Sequence, residues 1–387
     1  AFVDWFLAAA SGGRERFAGL SDVSDMALAQ NTAGLGYVQL RTILADVLEN
    51  ERRLTFESLS AKKKELIEAE AYGLLEFVET GYALDMVAGH TEAKAHLRAA
   101  SEAIKAGRPD VMPMGYLVSG PVGTGKTFLI TTFAGEIGIP MVKLKNFRSQ
   151  WQGVTEGNLE KILTLLRAMN PVAVMIDAAD AALGDRNSQA MSDTRYRGKI
   201  IWFLVTARPD LMPVDLKRQG RAEEHIALFY PSTREDREEL LRVMMRKTGV
   251  EVPMSEIPEA LLDGERTYSG ADMEALLTRA KFRATTHALD ADPEADGTAS
   301  DTPEPMGDGA APPPPGPGEG GGVTRMVLTN VVEDFIPPSY PLQVELQNLV
   351  AVMECTSQSM LPERFRTLDR ESTVRRVEEL KRLIGER

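Results

Sequence analysis

One run of eight residues, GPVGTGKT at positions 120–127, constrains the fold of this chain more than any other feature. The apolar segment MGYLVS directly precedes it and FLITTFAGEI directly follows it, as a strand and a helix would. Glycines let consecutive backbone N–H groups turn toward one point, and the N-terminus of the following helix attracts negative charge there. The run and its flanks match the phosphate-binding loop, or P-loop, pattern. We therefore predict that nucleotide phosphates contact Gly120, Pro121, Val122, Gly123, Thr124, Gly125, Lys126 and Thr127.

A second segment supplies the acid that such a loop needs. Residues 172–176 are apolar and Asp177 follows them. An acid at the end of a strand is common by itself, but downstream of a P-loop it is the expected ligand of Mg²⁺, which prefers oxygen. Lys126 would neutralise the β- and γ-phosphates, and the Thr127 hydroxyl would join Asp177 at the metal. The predicted cofactors are ATP and Mg²⁺.

The pattern between residues 85 and 231 predicts an α/β fold. Short β-branched runs alternate there with amphipathic helices, an order typical of a parallel sheet between two layers of helices. After residue 231 the chain turns helical, most clearly at 234–247 and 272–289. The candidate strands are MGYLVS, PMVKL, PVAVMID, KIIWFLVT and HIALFYP.

Composition predicts further boundaries around this 85–231 core. Residues 59–84 begin with a stretch rich in Lys, Glu and Ala, which predicts a linker helix. The helical domain at 232–340 is interrupted at 291–323, where Pro, Gly and acidic residues leave too little apolar surface to order the chain. Residues 341–387 are predicted to form a helical tail that ends in an amphipathic helix.

Charge and composition exclude several functions. A net charge of -13 argues against binding nucleic acid or an anionic membrane, because both need clustered Lys and Arg. No apolar stretch reaches the roughly 20 residues that cross a bilayer. The single cysteine, Cys355, fits a reducing compartment, and we predict a cytoplasmic location. The four histidines form no His-Glu-x-x-His zinc motif, so a protease centre in this chain is not expected.

In these motifs the sequence resembles the AAA+ family, close to the branch that contains valosin-containing protein and the membrane-anchored AAA proteases. The resemblance covers about residues 85–340 and implies an AAA+ P-loop domain followed by a helical lid. It also implies self-assembly into a ring, typically a hexamer, that acts on a protein substrate. Segment DMVAGH resembles the family's adenine-contacting segment, which implies that role for Asp85, Val87, Ala88 and Gly89.

The resemblance implies roles for three further segments. Trp151 and Gln152 correspond to the family's first pore loop, although a buried core tryptophan is the alternative for Trp151. Arg218 and Arg221 correspond to arginine fingers that reach the nucleotide of the next subunit, although ordinary surface ion pairs are the alternative. The segment SGAD at 269–272 corresponds to the lid segment near the base and ribose, which adds Gly270 and Ala271.

A related phrase, AGLG at 33–36, also begins a helical apolar run. A duplicated helical unit and two unrelated N-capped helices both account for the pair. If the family resemblance extends here, residues 1–58 are a helical lid fragment of an upstream AAA+ module whose nucleotide-binding core is absent from this chain.

Two residues depart from the family pattern in chemically important places. Ala178 stands where the family has the glutamate that orients the attacking water, and Ala207 stands at the sensor-1 position, where the family has asparagine. An engineered Glu-to-Ala change that traps ATP and a natural loss of hydrolysis both explain Ala178. The stretch between these alanines is also short by about one helix, with the deficit near residues 187–192.

Two functions follow from this pattern. The first is a ring-forming mechanochemical ATPase that remodels or threads a protein, with hydrolysis impaired in this chain. The second is a nucleotide-dependent assembly scaffold that binds ATP and hydrolyses little of it because both alanines are native. A helicase is disfavoured by the acidic balance.

Overall fold

The structure is a computed structural model in which two compact units are distinguished. The first comprises Ala1–Asp85, His90–Phe229 and Leu342–Arg387, and the second comprises Met86–Gly89 and Tyr230–Pro341. The residues described are 13–21, 37–49, 53–54, 61, 64–65, 68–69, 71, 74–145, 162–182, 196–290 and 322–385, apart from gaps at 80, 107, 109–110, 138, 168, 170, 264–265 and 338–339.

A six-stranded sheet in the order β1-β3-β4-β5-β2-β6 forms the centre of the first unit. The strands are β1 Leu75–Phe77, β2 Gly115–Ser119, β3 Met141–Leu144, β4 Val172–Asp177, β5 Ile200–Thr206 and β6 Glu224–Ala227. Five of them overlap the five predicted strands and pair in parallel, although β6 ends at Ala227, before the end of the predicted segment HIALFYP. Every residue of β5 is buried, as expected for a strand that helices cover on both faces.

The predicted linker helix at 59–84 is wrong in its second half. The described residues of 61–69 are helical, but β1 follows them and pairs antiparallel with β3. Leu75 is buried and Phe77 packs against the core cluster of the sheet. This burial outweighs the helix propensity of the stretch, and β1 extends the sheet at its edge.

The helices with defined bounds are α1 Gly13–Leu20, α2 Tyr37–Glu49, α3 Thr91–Lys105, α4 Lys126–Glu136, α5 Ala179–Ala182, α6 Arg234–Thr248, α7 Glu259–Leu262, α8 Gly270–Asp290, α9 Arg325–Asp334, α10 Pro341–Glu354, α11 Glu363–Arg366 and α12 Arg370–Leu383. They include the predicted helices after the P-loop, at 234–247 and 272–289, and at the end of the chain. No helix in the described part of the chain combines the length and hydrophobicity that crossing a bilayer needs.

The second unit is a helical domain, built mainly from Tyr230–Pro341. Helix α6 begins with a capping box between Thr233 and Asp236 and is capped at its C-terminus by Gly249, whose φ of 64° suits glycine. One apolar cluster joins α6, α7, α8 and α9, and Met86 and Ala88 pack against it. The predicted insertion at 291–323 lies almost wholly outside the described residues.

Helices α10 and α12 belong to the first unit. Leu346 and Val350 on α10 form an apolar cluster with Val377 and Leu380 on α12. Further along α10, Ala351 packs with Ala227 of β6. The predicted C-terminal tail is therefore part of the compact unit that contains the sheet.

Candidate functional site

The parallel sheet brings three chain segments to one edge. In the register of the sheet, Ser119 at the end of β2 pairs with Thr206 on β5, and Asp177 at the end of β4 pairs with Val205. The P-loop, Asp177 and the segment after Thr206 therefore leave the sheet side by side. Open α/β sheets bind ligands at this carboxyl edge.

Glycine is required at the first position of the loop. Gly120 has a φ of 137°, and a Cβ built there would lie 2.0 Å from the backbone oxygen of Leu228. Gly125 has a φ of 81° at the residue before α4, with nothing within 4 Å of an added Cβ, so only backbone conformation selects glycine there. The loop is thus shaped by close packing at one end and by backbone torsion at the other.

Lys126, the first residue of α4, lies beneath the loop with 9% of its surface exposed. Its Nζ donates hydrogen bonds to the carbonyl oxygens of Gly120 at 2.8 Å and Pro121 at 2.7 Å. Burial lowers the pKa of Lys126 to about 8, although the charges of Asp177 and Asp180 oppose the shift. The site therefore holds a cation that is poorly solvated and would gain from a bound anion.

Asp177 and Thr127 place oxygen atoms together at the mouth of the loop. The Thr127 hydroxyl donates to the Asp177 carboxylate, with Oγ1 3.3 and 3.4 Å from its two oxygens. These oxygens fit Mg²⁺, which takes few protein ligands and completes its shell with water and phosphate. The described part of the chain contains no group of three or more His, Cys, Asp or Glu side chains that could hold a metal ion alone.

Lys143 is a site residue that the sequence analysis missed. Its Nζ lies 2.9 Å from Oδ2 of Asp177. Lys143 pairs in register with Met175, two residues before Asp177, so both side chains lie on the same face of the sheet. The signal in the sequence was a lysine within the apolar strand run PMVKL.

The segment after Asp177 offers little for water activation. Ala178 is exposed with a φ of 50°, an uncommon value for a residue other than glycine. The carboxylate of Asp180 accepts a hydrogen bond from the Thr206 hydroxyl at 2.6 Å, and Thr206 accepts one from the backbone N–H of Arg208 at 2.9 Å. Thr206 directly precedes Ala207, so this network occupies the position where sensor 1 was predicted.

The two predicted arginine fingers differ in exposure. The Arg218 side chain is 61% exposed and lies 3.5 Å from an oxygen of Asp215. Arg221 is buried and donates to the backbone oxygen of Asp215 at 2.9 Å, with the Asp215 carboxylate 3.5 Å away. Of these two arginines, only Arg218 has a side chain that is mostly exposed to solvent.

The C-terminal helix α10 also contacts the loop. The backbone N–H of Val122 donates to Oε1 of Gln347 at 3.1 Å, across a sequence separation of 225 residues. No local pattern predicted this contact, because it depends on where α10 packs.

The other predicted site residues are distributed between the two units. Asp85 belongs to the first unit, and Val87, Ala88 and Gly89 belong to the second. Val87 is buried, Ala88 packs on the helical cluster, and Gly89 has a φ of 64°. Gly270 begins α8, and Ala271 lies inside the cap that Ser269 and Asp272 form through their side chains and backbone. Trp151 and Gln152, predicted for the pore, lie outside the described residues.

The fold and the site define a P-loop nucleotide-binding protein of the α/β class. Residues 116–230 match the family described as "ATPase family associated with various cellular activities (AAA)". Residues 1–72 match a second family, "AAA+ chaperone, second helical domain". Over residues 116–230 the chain therefore has an AAA-family ATPase domain. The match at 1–72 agrees with a lid-like segment at the start of the chain, and the upstream module itself stays a prediction.

Curated relatives include an AAA protease and a protein similar to Cdc48. The "ATP-dependent zinc metalloprotease FtsH 2" of Salinibacter ruber is 28% identical over 284 residues, which are 67% of this chain and 39% of the relative. The "Cell division cycle protein 48 homolog" of Archaeoglobus fulgidus is 29% identical over 209 residues, which are 49% of this chain and 27% of the relative. The chain thus spans less than half the length of either relative.

A solved structure shows the same fold. The crystal structure of the FIGL-1 AAA domain in complex with ADP aligns with a TM-score of 0.52 and 19% identity, over 73% of this chain and 94% of that one. This likeness supports the architecture of the sheet and the helical domain.

Proposed function

We propose that this chain binds ATP through residues 120–127, with Mg²⁺ held between Thr127 and Asp177. The observation that carries the proposal is the buried Lys126 ammonium, which two loop carbonyls hold beneath the P-loop. A cation that burial destabilises, with its pKa lowered to about 8, gains most from the negative charge that phosphate supplies. The oxygens of Thr127 and Asp177 add the ligands that Mg²⁺ prefers.

Hydrolysis of the bound ATP is proposed to be slow. Ala178 presents a methyl group where a general base is needed, and the neighbouring acid Asp180 already accepts the Thr206 hydroxyl. Loss of a general base costs about 10²–10⁴-fold in rate. Both origins of Ala178, an engineered trap and a natural loss, lead to this expectation.

The mechanochemical part of the proposal is that the chain works as one subunit of a ring, a hexamer, that remodels a protein. The net charge of -13 favours a protein partner over nucleic acid. The exposed Arg218 suits contact with a neighbouring nucleotide, and Trp151 and Gln152 would grip the substrate. The FtsH relatives are named as proteases, but this chain has no His-Glu-x-x-His motif, so peptide cleavage is not carried over. A cytoplasmic location, inferred from the lone cysteine, belongs to the same proposal.

Nucleotide contacts from outside the P-loop complete the proposal. The family resemblance supports adenine contacts by the segment at 85–89 and ribose contacts near the start of α8. The residues concerned are Asp85, Val87, Ala88, Gly89, Gly270 and Ala271.

A nucleotide-dependent scaffold is the second candidate. It is favoured by two alanines at catalytic positions, Ala178 and Ala207, together with a lysine, Lys143, on the predicted Mg²⁺ ligand. Such a site would hold ATP as a structural element of the assembly.

ATP titration tests the binding proposal. Lys126→Ala should weaken ATP binding by roughly 100-fold, because it removes a charged hydrogen-bond donor to phosphate. Lys145→Ala is the matched control, since Lys145 is half exposed and its ammonium pairs with Glu76 of β1. Equal ATP affinity in the two variants would contradict the assignment.

Restoring the missing carboxylate separates the two candidates. Ala178→Glu introduces no new type of backbone strain, because alanine already adopts the positive φ at this position. If the chain is an ATPase, this variant should release phosphate about 10²-fold or more faster than the unaltered chain. A rate that stays at the level of the unaltered chain, with ATP still bound, would favour the scaffold.

A further inference from the structure

The predicted Mg²⁺ ligand of this chain already has a cationic partner. The Lys143 ammonium lies 2.9 Å from Oδ2 of Asp177, while the Thr127 hydroxyl lies 3.3 and 3.4 Å from the two carboxylate oxygens. Both members of the ion pair are about one third exposed, at 33% and 32%, so the ammonium is held at the opening of the site, beside the P-loop. One carboxylate oxygen of Asp177 is therefore already paired with a positive charge before any metal binds.

The charge balance of the site changes as a result. Its charged groups are Lys126, Lys143, Asp177 and Asp180, two cations and two anions, which sum to zero. A divalent ion placed at Asp177 would sit within a few ångströms of the ammonium and be repelled by it. A triphosphate, in contrast, would meet two ammonium groups in place of one.

We propose that Lys143 supplies part of the charge neutralisation that a divalent cation provides, so that the chain binds ATP with an affinity that depends only weakly on Mg²⁺. This inference rests on the proposed ATP binding and deepens it. The proposal also fits the alanine at position 178. A site that lacks a carboxylate there needs no metal to position an attacking water. A lysine is a compact charge on a flexible stem, so its ammonium can contact both a carboxylate and a phosphate oxygen.

ATP affinity measured by calorimetry with excess Mg²⁺ and with excess EDTA tests the proposal. The unaltered chain should lose less than about fivefold in affinity when Mg²⁺ is removed. Lys143→Met should lose about tenfold or more of its ATP affinity in EDTA. With Mg²⁺ present the loss should be much smaller, because the metal then binds Asp177 without a competing ammonium group. Lys145→Met removes a lysine that directly follows the same strand and pairs with Glu76, and this variant should behave as the unaltered chain.

The measurement on the unaltered chain requires no variant to fold. A loss of more than about fivefold in EDTA overturns the role of Lys143 and leaves ATP binding intact. A Lys143→Met variant that responds to EDTA as the unaltered chain does also overturns it. If ATP binds under neither condition, the proposed function itself fails and this inference fails with it.

Discussion

Replacing Lys126 with methionine should stabilise the nucleotide-free protein while it removes ATP binding. Burial lowers the Lys126 pKa from 10.5 to about 8. Such a fall corresponds to about 3 kcal/mol of unfavourable free energy for the charged form in the folded chain. Methionine has a similar length and no charge, so it avoids this cost but loses the hydrogen bonds to Gly120 and Pro121, each worth about 1 kcal/mol. We expect a net gain of about 1 kcal/mol at pH 7.

The gain should depend on pH in a defined direction. Below pH 8, Lys126 is charged in both the folded and the unfolded chain, so the folded chain bears the full cost. Between pH 8 and 10.5 the folded chain releases its proton first, and the stability of the unaltered protein rises relative to the variant. Above 10.5 the lysine is neutral in both states and the cost is gone.

Urea unfolding followed by tryptophan emission measures this difference, because Trp202 is buried in β5 within the same unit. The free energies of unfolding of the unaltered chain and Lys126→Met should be compared at pH 7 and pH 9.5. A variant less stable than the unaltered chain by more than about 1 kcal/mol at pH 7 would refute the reasoning. The reasoning would also be refuted if the extra stability of Lys126→Met over the unaltered chain were larger at pH 9.5 than at pH 7.

Three further outcomes follow from the site. Gly120→Ala should lower the free energy of unfolding by about 3 kcal/mol in thermal unfolding, because position 120 has a φ of 137° and a Cβ there would lie 2.0 Å from a backbone oxygen. Gly125→Ala is strained only in φ, so it should lower the free energy of unfolding by about 1 kcal/mol. Equal losses would contradict this account. ATP affinity of the unaltered chain should fall as the pH rises above 8, where free Lys126 loses its charge; a flat titration would exclude Lys126 as the phosphate ligand. In an Ala178→Glu background, mixing Arg218→Ala subunits with Lys126→Ala subunits should restore ATPase activity above that of either alone, and no gain despite co-assembly would count against an arginine acting in trans.

The sequence by itself determined the P-loop and the positions along the chain of the five parallel strands. These features are local: a glycine pattern fixes the loop torsions, and continuous apolar runs predict buried strands between helices. The position of Asp177 followed from the same logic, because the carboxyl ends of parallel strands meet at one edge of the sheet. The pattern could not reveal β1, whose short Leu75–Phe77 run becomes a strand only when β3 is available to pair with it.

The electrostatics of the site were decided only by the tertiary structure. Lys143 meets Asp177 because the register of β3 on β4 places both on one face, and Gln347 meets Val122 because α10 packs in the same unit as the sheet. The contrast between buried Arg221 and exposed Arg218 likewise depends on how the segment after β5 folds back. Local sequence fixes backbone torsions and apolar periodicity. Contacts between side chains far apart in the chain are fixed by register and packing, which exist only once the elements are assembled.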